Sequence, residues 1–358
     1  MSTGPEREPW RLPYSTADVP GIGGRIKERP EDFLVEELPL YEPCGEGEHV
    51  YLFLEKRSMG TPELVALLAE HFGVERRAIG TAGLKDSDAV TRQHVSVHLP
   101  GVDEASFGTL RDERVAVLWV DRHTNKLRTG HLSGNRFVIR IRGVSMPDVL
   151  RARAVLGALE RSGVPNAFGP QRFGAKGDNH RAGYAVVRGR RKTPAGSKKR
   201  LLVSAWQSSV FNAVLAERMA SGTLDAIETG DLAFVHASGA VFAVQAEGLD
   251  ETRSRAAAFD VSPSGPLWGT SMTRASGKID AAEVAALAAW ELEPEDLAAS
   301  PEAKLLPGAR RPLRVPLADI DLEGGIDEHG GYVKIAFDLP AGSYATSVVR
   351  EVCKTDAF

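Results

Sequence analysis

Two carboxylates, Asp86 and Asp88, stand beside Lys85 in the segment Thr81-Ala82-Gly83-Leu84-Lys85-Asp86-Ser87-Asp88-Ala89-Val90-Thr91-Arg92-Gln93. An aspartate is ionised at neutral pH and is able to serve as nucleophile or general base. Gly83 permits a tight bend next to it. The same Asp86 also reads as an ordinary turn former, and Asp88 is a rival for any chemical role. A second segment, Gly163 to Gly174, combines Asn166, Gln171 and Arg172 with Phe168 and Phe173. Amides and a guanidinium interleaved with rings suit an unstacked base, although a packed loop corner is the plainer reading. A third segment, Arg188 to Arg200, holds seven cations (Arg188, Arg190, Arg191, Lys192, Lys198, Lys199, Arg200) and no acid. It reads either as an arm that contacts phosphates, with steep salt dependence, or as a solvated loop, since Pro194, Gly196 and Ser197 favour a turn.

Other chemistries lack their residues. The 358 residues contain no Walker A loop, no HExxH, no GxGxxG opening a helix after a strand and no GxSxG elbow. The nine histidines show no metal-ligand spacing, and the two cysteines, Cys44 and Cys353, form neither a disulfide framework nor a zinc pattern. A metal enzyme, a P-loop NTPase and a Rossmann dehydrogenase are therefore disfavoured, and no metal and no cofactor are expected. No apolar run approaches the roughly 18 residues that span a bilayer. The polar, Pro-rich N-terminus is not a secretory signal, so a cytoplasmic chain without membrane contact is expected. The net charge of −4 hides an asymmetry. From Arg122 to Arg200 there are 19 Lys+Arg against Asp148, Glu160 and Asp178, a net of +16, which leaves −20 for the remainder. A basic middle in an acidic frame is a polyanion footprint.

The elements that must position these residues are legible from periodicity. Strands are expected within 26–37, at His49–Lys56, His94–Leu99, Arg114–Val120, Asn135–Arg142 and Tyr332–Leu339. The Asn135–Arg142 stretch alternates, with Phe137, Ile139 and Ile141 on one face and an arginine row, Arg136, Arg140 and Arg142, on an accessible one; a solvated face of a half-buried strand is the commoner case. Thr61 as N-cap and Pro62 at the first helical position open a helix that Gly73 ends. Further helices are expected from Pro147 to about Arg161, from Ser204 to about Met219, over Asp280–Glu291 and through Val348, Val349 and Val352. Residues 1–20 read as a flexible leader, and Ser262–Pro266 as a loop. Strands and helices in mixed order indicate an α+β chain.

In order along the chain stand Lys27…Phe33-x-Val35-x-Glu37, Gly45-x-Gly47-Glu48-His49, Ala82-Gly83-Leu84-Lys85-Asp86, Ala89-Val90-Thr91-x-Gln93, Gly134-Asn135-x-Phe137, Asn166-x-Phe168-Gly169-x-Gln171-Arg172-Phe173-Gly174, Ser204-Ala205-x-Gln207-Ser208-x-x-Phe211-Asn212 and Phe337-x-Leu339-Pro340-x-Gly342 running to Thr346. Together they resemble the TruD family of tRNA pseudouridine synthases over about Lys27 to Glu351. The resemblance implies a catalytic domain of the pseudouridine-synthase α+β fold, residues 21–168 and 310–358, around a central mixed or antiparallel sheet. It also implies an inserted α/β TRUD domain, residues 169–309, and a V-shaped arrangement of the two. The implied reaction isomerises a flipped uridine of tRNA, at position 13 in the D arm, to its C-glycoside without a cofactor.

Asp86 is then the essential carboxylate, acting as nucleophile at the sugar or as base at the 2′ carbon; Asp88 matches no motif position. Lys27 would keep Asp86 charged and Asn135 would orient it. Phe137 would stack on the uracil, with Phe33 and Phe337 completing a dry pocket; ordinary core packing is the alternative for all three rings. Arg172, Arg190, Arg191, Lys192, Lys198, Lys199 and Arg200 are candidate RNA contacts. The expected partner is tRNA, bound by a monomer. An RNA-binding chaperone with little catalysis, or a carboxylate-based hydrolase of small molecules, are the competing readings.

Overall fold

A computed structural model of the chain describes residues 5, 8–85, 89–103, 107–191, 193 and 196–355. The expectations placed on Asp86, Asp88 and Lys192 lie outside these residues. Along the chain the strands are β1 (Phe33–Pro39), β2 (His49–Arg57), β3 (Ile79–Thr81), β4 (Val90–His98), β5 (Val115–His123), β6 (Leu132–Arg142), β7 (Val164–Pro165), β8 (Leu232–Val235), β9 (Val241–Ala243), β10 (Val261–Leu267), β11 (Ala309–Pro312), β12 (Arg314–Val315), β13 (Ala318–Asp327) and β14 (Gly330–Pro340). The α-helices are α1 (Thr61–Phe72), α2 (Asp148–Ser162), α3 (Asn179–Val187), α4 (Ser197–Ala220), α5 (Leu249–Ala257), α6 (Gly277–Ala288), α7 (Pro294–Ala299) and α8 (Ala345–Cys353). The chain divides into two compact units, one of residues 22–153 with 317–343, the other of residues 1–21, 154–316 and 344–358.

The first unit is built on a sheet in the order β13-β14-β6-β1-β4-β2-β5, with β3 also on β4. The β1–β4 pair is parallel and its neighbours are antiparallel, so the sheet is mixed. Val50, Leu52 and Leu54 of β2 pack with Val95 and Val97 of β4 and with Leu64 and Leu68 of α1. Gly60, not Thr61, takes the N-cap position of α1. The Thr61 hydroxyl instead accepts the backbone N–H of Lys85 at 2.9 Å, which anchors the expected catalytic segment to the helix. Gly73 ends the helix in the left-handed conformation, at φ 63°.

The arginine row on β6 is not an accessible basic face. Arg142 is buried and bonded to both oxygens of Asp32, at 2.6 and 2.7 Å, and to Asp327 at 2.9 Å. Arg136 meets its cross-strand partner Asp338 at 2.9 Å. Arg140 lies over Tyr332, its guanidinium 5.1 Å from the ring centre. Acids on neighbouring elements, too far away in sequence to be associated with β6, have taken up the charge.

In the second unit a sheet in the order β11-β10-β8-β9 and a β12-β7 ribbon accompany α3 and α4. Trp206 and Val210 of α4 pack with Tyr184, Trp268 and Trp290. The expected loop Ser262–Pro266 is the buried strand β10. It pairs with β8 through 261–263 and with β11 through 264–267. Each half therefore has one strand partner, which leaves room for prolines that cannot donate. Helix α4 begins at Ser197, earlier than expected, and draws Lys198, Lys199 and Arg200 into its first turn. The expected loose leader packs from Trp10 onward: that ring lies 5.3 Å from Phe173, Leu12 is buried, and the Thr16 hydroxyl donates to Glu351 at 2.7 Å.

Candidate active site

Four adjacent strands and β2 lay out two rows of side chains on one face of the larger sheet. In the first, Phe337 pairs with Phe137, Phe137 with Val35, Val35 with Thr91 and Thr91 with Lys56. Two residues along, Leu339 pairs with Asn135 and Asn135 with Glu37. Because side chains alternate along a strand, a two-residue step keeps both rows on the same side. The rings of Phe137 and Phe337 are 5.7 Å apart, and Phe33 meets Phe137 edge-on at 6.4 Å. All three are buried. Next to Asn135, the backbone of Gly134 passes so close to Leu339 that a β-carbon would sit 2.4 Å from its carbonyl oxygen, so only glycine fits. The Lys27 ammonium lies 4.5 Å from the centre of the Phe33 ring, a favourable place for a cation. Its backbone adopts φ 57°, a strained choice for a residue with a β-carbon.

Lys85 reaches the polar end of these rows. Its ammonium donates to Asn135 Oδ1 at 2.7 Å and lies 2.9 Å from Glu37 Oε1. The other oxygen of Glu37 accepts the His94 backbone N–H at 2.8 Å. The side chains of Lys85 and Glu37 are 7% and 0% exposed. Burial pushes the Glu37 carboxyl up, but the hydrogen bond from His94 and the charge of Lys85 outweigh it and hold the group below the ordinary carboxylate range. The Glu37 carboxylate is therefore ionised at neutral pH. Thr91 Oγ1 and Gln93 Nε2, on the same face, are buried and find no hydrogen-bond partner among the described residues. Such orphaned atoms are rare in protein interiors. Lys56, fully buried, donates to the Met59 carbonyl. A wall of rings beside fixed polar groups suits a flat polar heterocycle, the rings taking its face and the amides and hydroxyl its edge.

The structure thus groups Lys27, Phe33, Asn135, Phe137 and Phe337. Asp86, next in the chain after Lys85, lies outside the described residues. Glu37, Lys85, Thr91 and Gln93 had no expected role, although a glutamate in phase with Phe33 and Val35 on a strand was a usable signal. The candidate RNA contacts belong to the other unit. Arg172 is committed there to Ser208 Oγ at 3.2 Å and to Ser204 Oγ, with its guanidinium 5.4 Å from the Phe168 ring. Lys199 is paired with Glu302 at 2.6 Å, so its charge is already met. Arg190, Arg191, Lys198 and Arg200 are exposed. Among the described residues no group of His, Cys, Asp or Glu could hold a metal ion, and no helix is long and apolar enough to cross a membrane.

A family model described as "tRNA pseudouridine synthase D (TruD)" matches residues 11–197 and 195–352. A protein of Thermus thermophilus named tRNA pseudouridine synthase D is 45% identical, over 98% of this chain and 94% of its own length. One of the same name from Syntrophotalea carbinolica is 38% identical, over 96% and 99%. A crystal structure of a putative tRNA pseudouridine synthase D from Methanosarcina mazei shares the fold, with a TM-score of 0.81, 24% identity and 97% of each chain covered.

Proposed function

The chain belongs to the TruD family of tRNA pseudouridine synthases, and from that premise we propose that it isomerises uridine to pseudouridine in tRNA, at position 13 of the D arm. The observation that carries this reading is the double row on the sheet: three phenylalanines beside a polar edge formed by Asn135, Lys85, Glu37, Thr91 and Gln93. The target nucleotide leaves its stack at a cost of a few kcal/mol. Phe137 takes the face of the uracil, and Phe33 and Phe337 exclude water around it.

Asp86 acts at the ribose, by attack on C1′ or by removal of a proton from C2′. The N1–C1′ bond breaks, the base turns, C5 bonds to C1′, the C5 proton is lost and N1 gains one. No electron leaves or enters, and no cofactor is required. Lys27, held over the Phe33 ring, supplies a positive charge that keeps Asp86 ionised. Exposed Arg190, Arg191, Lys198 and Arg200 contribute phosphate contacts, and the chain works as a monomer in the cytoplasm.

The test is incubation of the purified chain with an unmodified tRNA transcript, followed by mapping of pseudouridine. One new pseudouridine, at position 13, is expected. A different position would overturn the site assignment. Tight binding with no pseudouridine would favour an RNA chaperone instead.

A further inference from the structure

We propose that Lys85 and Glu37 are positioning residues that lock the side-chain amide of Asn135 as a hydrogen-bond donor toward the flipped nucleotide. The assignment rests on the function proposed above and adds to it the direction of one polar contact. An ammonium group has three donors and no acceptor. The Asn135 atom that Lys85 Nζ meets at 2.7 Å is therefore its oxygen, and the NH2 occupies the opposite branch. An asparagine without such a partner presents either edge by turning about its last bond; this one is held.

The lock has its own support. Lys85 Nζ is 2.9 Å from Glu37 Oε1, and Glu37 is tied to β4 through the His94 N–H. Glu37 and Asn135 are direct cross-strand partners on β1 and β6, so these two side chains are fixed by the register of the sheet. The backbone N–H of Lys85 is fixed separately by the Thr61 hydroxyl of α1. Glu37 is wholly buried and Lys85 nearly so, which removes both from direct contact with an RNA backbone. A desolvated ion pair is a poor source of stability, because removal from water offsets most of the attraction. Its value here is orientation: it sets a neutral amide in the polarity that meets an acceptor, such as a pyrimidine carbonyl or a ribose oxygen.

The experiment is a cycle of variants read in single-turnover pseudouridine formation and in tRNA affinity. Glu37→Gln with Lys85→Met removes both charges together, so that neither is left buried alone. It is expected to slow pseudouridine formation by about 100- to 1000-fold, the range for losing one aligned donor in a desolvated site, while the Kd for tRNA stays within about threefold. Asn135→Ala is expected to slow the reaction similarly. Combining all three changes should cost no more than about twofold beyond Asn135→Ala, because residues that act through one group are not additive. Multiplied effects, a double variant as fast as the parent, or a loss confined to tRNA affinity would each overturn the lock. Asn135→Asp gives an independent decision should the double variant fail to fold: it keeps an oxygen for Lys85 and removes the donor. It is expected to be as slow as Asn135→Ala, and parental speed would refute the donor. A parent chain that forms no pseudouridine would overturn the function itself, and the lock with it, a result distinct from an active parent with unaffected variants.

Discussion

Phe137 carries two demands on one ring. It is packed between Phe33 and Phe337, and it is the ring expected to stack on the substrate. Truncation to alanine would cost about 3–5 kcal/mol of stability and obscure the second demand. Phe137→Leu keeps most of the volume and loses the stacking face. Its kcat/KM should fall about 10- to 100-fold, in line with ~1–3 kcal/mol for a base on a ring, while its Tm drops only a few degrees; parental kinetics would make the ring plain core. Arg142 gives the converse case. Breaking its pair with Asp32 should cost about 3–5 kcal/mol, read by denaturant unfolding of Arg142→Met, with tRNA affinity unchanged for the folded protein. An affinity loss without a stability loss would return the arginine to the RNA. At this scale the sequence was readable where a residue type has few uses, as with Phe137 and Asn135. It misplaced Arg142 on an accessible face, because nothing local reveals that Asp32 and Asp327 converge on it.

Helix α4 opens with Lys198, Lys199 and Arg200 in its first turn. Cations at a helix N-terminus oppose the macrodipole, so they weaken the helix they begin. Lys199 is relieved by Glu302, whereas Lys198 and Arg200 are exposed. Replacing Lys198 and Arg200 by alanine is expected to flatten the slope of log Kd for tRNA against log salt by about 0.7–0.9 for each phosphate no longer neutralised. Lys199→Ala should change the slope little. Equal slopes in parent and double variant would leave these cations in solvent. Elements were legible where periodicity was strong, as in β2, β6, β14 and α2. Strand β10 was not, because Ser262-Pro263-Ser264-Gly265-Pro266 has the composition of a loop and becomes a strand only through its two different neighbours. The early start of α4 escaped for a related reason, its basic first turn having no helical apolar pattern.

Across the molecule, buried titratable groups set how the fold responds to acid. His180 is buried in the second unit, edge-on to Phe173 and Trp290. Burial, with the nearby Arg181 charge, holds its pKa down to about 4 from an ordinary 6.5. The folded form therefore favours the neutral ring, and the unfolded chain binds the proton more readily. Its contribution is complete above pH 6.5 and is lost as pH falls toward 4. His236 has a shift of the same sign from burial, and Glu37 and Glu351, also held low, lose their contributions further down. A Tm that falls between about pH 6.5 and 4.5 is expected, with a shallower fall in His180→Phe; an unchanged pH dependence would refute the assignment. At the same scale, the compact unit that includes Ala154–Pro316 is wider than the insertion expected over 169–309, and Trp10 and Leu12 from the expected leader belong to its packing.

The central claim is that one carboxylate, Asp86, converts uridine where it stands in tRNA. Release of tritium from 5-labelled uridine in tRNA measures that conversion directly. The parent chain should release label from a single site, and Asp86→Asn should reduce the rate by at least about 10³-fold, as for loss of an essential nucleophile or base, with tRNA affinity kept within a few-fold. Release by Asp86→Asn at the parental rate would contradict the account.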